Sequence, residues 1–211
     1  MKVFVCFLLL IAMAVPGLAQ DDETLLPTEF RSGYFGGPVV KATTMSDEFA
    51  LTVGARGGWV VNRSVVLGGS AHYLINSVTV ETQVPDTVGS VDALIDTTFD
   101  IMVIYGGAEI EYVSESQKLL HYTAAMLVGA GLVEYKDYDC AVCEEDEDTD
   151  VDADIFFVVE PSVHAMLNVT PMLRIGLGAS YRYAYDVEIR GVENEDLSGW
   201  SGVLTVKIGR F

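Results

Sequence analysis

The feature that most constrains this chain is a period of two. From about residue 34 onward, apolar residues recur at every second position, which is the repeat of a β-strand and not of a helix. MLRIGLGASYRYAY makes the case most clearly. Leu173, Ile175, Leu177, Ala179, Tyr181, Tyr183 and Tyr185 fall on one face, and Arg174, Gly176, Gly178, Ser180, Arg182 and Ala184 on the other. Eight segments share the pattern, at about 34–44, 48–62, 64–77, 98–113, 118–135, 154–168, 171–186 and 198–211. Most exceed the five or six residues usual in a globular sheet, so they read as tilted spans.

The connections alternate in length. Asn62 to Ser64, Ser114 to Gln117 and Val169-Thr170 are short, whereas 78–97, 136–153 and 187–197 are long; Met45 to Asp47 is a short member of the second set. With both ends of the chain on the short-turn side, this predicts an eight-stranded antiparallel up-and-down (meander) β-barrel of the outer-membrane type. Paired or clustered glycines inside five of the segments, such as Gly57-Gly58 and Gly106-Gly107, permit the coiling that a small closed barrel needs. A soluble β-sandwich is the competing architecture, since its apolar faces also alternate.

The first twenty residues, MKVFVCFLLLIAMAVPGLAQ, have one Lys, an apolar run from Val3 to Val15 and small residues at Gly17 and Ala19. That is a secretory signal peptide over 1–19, too short to span a membrane, followed by an extension over 20–32 and a barrel domain over 33–211. Gln20 stands where a lipoprotein would carry the acylated Cys. Removal of the signal leaves eleven basic against thirty-one acidic residues, which argues against nucleic acid as a partner.

GYFGGPVVK, DEFALTVGARGGWVVN, LNVTPMLRIGLGASYRY and DLSGWSGVLTVKIGRF resemble the recurring blocks of an uncharacterised family of exported barrels from Bacteroidetes and related Gram-negative bacteria, over about Ser32 to Phe211. The resemblance implies a small outer-membrane barrel without an assigned activity, and no catalytic residues to carry over. Phe211 also resembles the terminal signal that the barrel-assembly machinery reads. Its phase differs from that signal: it goes with Gly209, Lys207 and Thr205, not with the apolar Ile208, Val206 and Leu204.

Assigning the continuous apolar face to lipid places Leu51, Trp59, Leu67, Ile110, Met126, Val163 and Leu177 outside, among others, with Tyr181, Tyr183 and Tyr185 as one aromatic girdle and Trp59 and Tyr112 as the other. The opposite phase collects Lys41, Arg56, His72, Glu109, Glu111, His121, Glu160, His164, Arg174, Arg182 and Lys207. Arg56, Glu109, Glu111, His121, His164, Arg174 and Lys207 lie toward the short-turn end. An eight-stranded barrel has room for side chains there but not for a channel, so these residues predict a polar plug, with Glu109 and Glu111 paired to some of Arg56, Arg174 and Lys207. Toward the other end the inward residues are apolar: Phe99, Ile101, Val103, Tyr105, Val133, Phe156 and Val158. They are either plain packing or a small hydrophobic pocket.

Ser162 with His164, and Ser70 with His72, share inward faces, and Glu160 adjoins the first pair. Two residues along a strand separate side chains by roughly 6–7 Å, a spacing that predicts no direct nucleophile-to-base hydrogen bond and so no enzyme.

DYDCAVCEEDEDTDVDAD, residues 137–154, forms the third external loop, with acidic companions Asp86, Asp92 and Asp96 in the second and Glu188, Glu193, Glu195 and Asp196 in the fourth. It reads as a solvated loop, as a Ca2+ site built on Asp148, Asp150, Asp152 and Asp154, or as a Cys-x-x-Cys centre. Zinc would need two further ligands nearby, so a local disulfide between Cys140 and Cys143 is the expectation. No other cofactor is indicated. The resulting expectation is an outer-membrane protein, surrounded by lipid, with a structural or surface-interaction role exercised through acidic loops. A binder or transporter of a small hydrophobic ligand is the alternative, and a lipid-modifying enzyme the third.

Overall fold

The computed structural model describes residues 32–85, 94–135, 153–189 and 191–211, with side chains at 32–80, 99–135, 153–189 and 191–211. The signal peptide, all but Ser32 of the extension, and Cys140, Cys143, Asp148, Asp150 and Asp152 lie outside the described residues. Nine strands and one short helix are present among those described: β1 (Ser32–Met45), β2 (Glu48–Val61), β3 (Val65–Leu74), β4 (Thr79–Pro85), β5 (Leu94–Val113), β6 (Leu120–Tyr135), β7 (Ala153–Thr170), β8 (Leu173–Tyr185), α1 (Asn194–Leu197) and β9 (Gly199–Arg210).

Eight of the nine strands close a ring. Neighbours run β3-β2-β1-β9-β8-β7-β6-β5, and β3 pairs β5 to complete the circuit. All these pairings are antiparallel. The fold is an eight-stranded meander barrel, and closure leaves no open strand in the ring. The sequence reading needs one correction. The segment expected over 64–77 stops at Leu74, and the following long connection contains β4, which pairs only with the first third of β5, from Leu94↔Pro85 to Asp100↔Thr79. Beyond that point β5 turns to β3, beginning at Ile104↔Tyr73. The unusual length of β5 thus serves two partners in turn, and β4 forms an arm outside the ring.

Alternation works as a burial switch. Along β6 buried and exposed residues follow each other with few exceptions, so one face lines the lumen and the other faces outward. The outward face keeps large apolar side chains exposed on every ring strand, including Phe49, Leu67, Ile110, Val128, Val163, Leu177 and Leu204. A water-soluble protein does not leave such a contiguous apolar surface uncovered. At the long-loop end, Ser46 and Asp47 join β1 to β2 with both φ angles positive, 47° and 60°, the backbone of the two-residue hairpin turn whose twist matches the strands.

Inside, three layers are stacked. At the long-loop end an apolar cluster includes Leu74, Ile101, Val103, Phe156, Val158 and Leu197. At the short-turn end Phe35, Val60, Val66 and Val113 form a second, with Phe211 packed against it. Between the two lies the charged layer.

Candidate functional site: the charged lumen

Three carboxylates organise the middle of the barrel. Glu111 on β5 has no solvent exposure, and its two oxygens lie 2.5 and 2.6 Å from Nζ of Lys207 on β9, which faces it across the ring. Arg56 on β2 donates to Glu111 at 3.1 Å and also pairs with Glu109. One strand turn nearer the loops, Lys41 on β1 donates to Glu160 on β7 at 2.6 Å and to the Tyr105 hydroxyl at 3.2 Å. None of these pairs joins adjacent strands of the ring, so each braces the barrel across its bore. Buried charges are tolerated only when paired in this way, and removing one partner leaves an expensive orphan.

The seven residues singled out from the sequence for the interior all line the lumen, but they do not form one cluster. Arg56, Glu109, Glu111 and Lys207 are joined directly. Arg174 is not ion-paired with a described carboxylate; its guanidinium lies 3.7 Å from the centre of the Phe211 ring and its Nη2 donates to the Ser116 carbonyl at 3.4 Å. Nδ1 of His121 lies 3.3 Å from the Lys118 carbonyl oxygen. His164 sits opposite Gly178, where a Cβ would come within 2.6 Å of its ring, and Gly54 makes the same allowance for His72. Glycine is required at these two positions by close approach and not by backbone angle.

Lys41, Glu160 and Arg182 carry the same inward phase and belong to the charged layer, though spacing along the chain names no partners for them. Their partners emerge only when the ring closes. Arg182, fully buried, donates from Nε to the Leu197 carbonyl at 2.5 Å and stands beside the Tyr105 ring, 5.4 Å from its centre. It thereby fastens the end of α1 into the mouth of the barrel. Ser46 adds a backbone bond to Asp196 at 2.9 Å, and the Ser198 hydroxyl accepts from Ala184 N at 3.0 Å.

The apolar residues of the upper lumen are packed. Ile101, Val103, Tyr105, Val133, Phe156 and Val158 are all at most 2% exposed, in a cluster with Val78, Val80, Ile189, Val192 and Leu197 from the connecting segments. Between the two groups of ion pairs lies a cavity of about 20 Å3, lined by Lys41, Arg56, His72, Glu160, Ser162 and His164 among others. That holds roughly one water molecule.

One argument from strand spacing is overturned. Nε2 of His72 lies 3.2 Å from the Ser70 hydroxyl, because the imidazole itself spans the 6–7 Å between side-chain origins two residues apart. The contact is buried within the lumen, with the His72 ring packed 4.8 Å from that of Tyr105. Asp154, the one described member of the expected calcium set, has both carboxylate oxygens occupied by backbone donors, Ile155 N at 2.8 Å and Glu188 N at 2.6 Å. It ties the start of β7 to the segment that leads into α1.

Fold and lumen together define a small closed barrel of the outer-membrane type. Among solved structures, Neisserial surface protein A is similar over 86% of this chain and 98% of its own, with a TM-score of 0.54 and 11% identity. The N-terminal barrel domain of Pseudomonas aeruginosa OprF aligns with a TM-score of 0.49 and 10% identity, over 84% and 96% of the two chains. Ail, the attachment invasion locus protein of Yersinia pestis, in complex with the heparin analogue sucrose octasulfate, aligns with a TM-score of 0.42 and 11% identity, over 84% and 97%. At such identities the likeness to Neisserial surface protein A is one of fold. No protein-family model matches the chain, and no curated protein does.

Proposed function

We propose that this protein resides in the outer membrane as a sealed, non-conducting barrel, and that it works as a structural element or through contacts made by its external loops. The observation that carries this reading is the filled bore: ion pairs reach across it from Lys41 to Glu160 and from Lys207 to Glu111, between two apolar clusters. The apolar exterior supports residence in lipid, and the leader-like first nineteen residues support export through a cleaved signal peptide. The four sequence blocks named above support kinship with the uncharacterised exported barrels of Bacteroidetes-like bacteria, and hence a Gram-negative source. Delivery would pass through the barrel-assembly machinery.

The acidic external segments are the proposed working surface. Glu188, Glu193 and Glu195 are exposed at or beside α1, and the sequence between β6 and β7 holds ten more acidic residues over 137–154. Such a surface repels anionic partners and attracts divalent cations. Calcium at Asp148, Asp150, Asp152 and Asp154 therefore remains part of the proposal, as does the Cys140–Cys143 disulfide. The packing of Ile101 and Phe156 under Leu197 favours the sealed reading over a hydrophobic-ligand carrier. Placement of Ser70 and His72 within the bore favours it over a lipid-modifying enzyme.

Single-channel recording on the purified protein in planar bilayers tests the central point. The expected result is no resolved conductance steps; sustained openings would defeat the sealed reading. Deletion of 140–150, followed by equilibrium dialysis against calcium, tests the loop: unchanged calcium uptake would remove the cation from the proposal.

A further inference from the structure

β7 carries a proline in its middle, as β1 does at Pro38, where the β1–β9 ladder also skips two pairs. The β7–β8 ladder holds one register on both sides of Pro161, with Val159↔Tyr183 before and Ser162↔Ser180 after. Between these, Glu160 and Pro161 make no pair with Arg182 and Tyr181. The lapse has a simple cause: Pro161 has no N–H, so the Tyr181 carbonyl lacks the donor that the ladder supplies elsewhere. In a wall surrounded by hydrocarbon, water cannot make good the deficit, and such a carbonyl costs several kcal/mol unless another donor reaches it.

The outer surface is hollow at the same place. A groove of about 590 Å3 runs over Pro161, with Ala124 and Ala179 on its floor and Ile110, Met126 and Trp200 among its walls. It continues toward the short-turn end as a second hollow of about 530 Å3 that shares Tyr112, Ala124, Val163 and Ala179. Tyr181 and Trp200 meet edge to face, ring centres 5.2 Å apart, at the end nearer the external loops. The groove is continuous with the apolar face that the barrel turns to the membrane, so a lipid chain is the occupant its setting supplies. Tyr112, Ser162, Ser180 and Trp200 also line it, and the Tyr181 carbonyl lies where the girdle of Tyr181, Tyr183 and Tyr185 begins.

We infer that this groove is a binding site for one membrane lipid whose acyl chain carries a hydroxyl near the headgroup, the chain lying along Ala124 and Ala179 and the hydroxyl donating to the Tyr181 carbonyl. The inference rests on the membrane-spanning reading and adds a position and a chemistry to it.

Trp200 provides the readout. The full-length protein with Trp59→Phe is reconstituted into vesicles containing a brominated phospholipid, which quenches Trp200. Two lipids are then titrated in, identical except that one bears a hydroxyl on the third carbon of its acyl chain. The hydroxylated lipid should relieve quenching at about one fifth the concentration, the ratio one net hydrogen bond supports. Pro161→Ala restores the missing N–H and should bring the two lipids level. Ala179→Phe, which fills the floor without touching the ladder, should lower the affinity for both.

Equal competition by the two lipids in vesicles that carry the protein on flotation would overturn the site while leaving the membrane reading intact. A preference that survives Pro161→Ala would overturn the role of the carbonyl, and an unchanged titration in Ala179→Phe would overturn the groove. Shielding of Trp200 that is accompanied by a cross-linked dimer would give the groove to a second copy. Failure of the protein to float with vesicles would sink both readings together.

Discussion

At the scale of single residues, Glu111 is the position on which most depends. It receives Lys207 through both oxygens and Arg56 through one, with no solvent to replace either. Lys207→Met should therefore lower stability by about 3–5 kcal/mol, because it leaves Glu109 and Glu111 to share the single Arg56 guanidinium. The double variant Lys207→Met with Glu111→Leu should recover much of that loss, since the charge goes with its partner. Urea unfolding in detergent micelles, followed by heat-dependent gel mobility, measures both; equal losses in the single and double variants would show that packing and not charge pairing is at stake. Asp47 offers a gain in the opposite direction. Its φ of 60° lies in the left-handed region, which costs a non-glycine residue roughly 1–2 kcal/mol, so Asp47→Gly should raise the unfolding midpoint in the same assay.

Among the elements, α1 and its flanking segment behave as a stopper held from below. Arg182 reaches up from β8 to the Leu197 carbonyl, and Leu197 itself has no exposure. Arg182→Leu should free this segment: limited proteolysis would cut within 186–198 at least ten-fold faster on the order-of-magnitude scale of one lost charged hydrogen bond, while the barrel keeps its heat-modifiable migration. Loss of that migration would mean that Arg182 supports the wall as well. The arm formed by β4 should be dispensable by the same test, because deletion of 79–93 removes no pairing within the ring. These two elements also mark where the sequence stops being informative. Period two places Arg182 and Leu177 on opposite faces of β8, since that phase is a local property of the strand. It gives no hint that Arg182 would bond a carbonyl fifteen residues away, or that Lys41 would meet Glu160, because those partners are chosen by ring closure. The β4 arm is not legible because 78–97 has weak alternation and reads as a connection. Phe211 was legible in phase but not in role: its inward setting against Phe35, ring centres 6.0 Å apart, requires the first and last strands to be neighbours.

For the whole molecule, the same closure that seals the bore divides the charge. Basic groups gather inside, at Lys41, Arg56, Arg182 and Lys207, while the external segments are acidic. The protein should accordingly bind cation-exchange media poorly and anion-exchange media tightly even though its interior is rich in cations. Elution that advances by less than about 0.1 M salt when 140–150 is deleted would place the governing charge elsewhere than the third loop. The pairing of β1 with β9, which sets Val40 against Leu204 and Thr43 against Ser201, has a kinetic consequence. Apart from β3 with β5, which are separated by the β4 arm, every other contact in the ring joins consecutive strands and can form as a hairpin with less loop entropy to overcome. This one joins the two ends, so it should form late and slow the folding. Until it forms, the chain presents two unpaired strands able to capture one another on different molecules. The concentration at which refolding gives way to aggregation should thus fall as the lifetime of that unmade seam grows, which light scattering during refolding at graded protein concentrations measures.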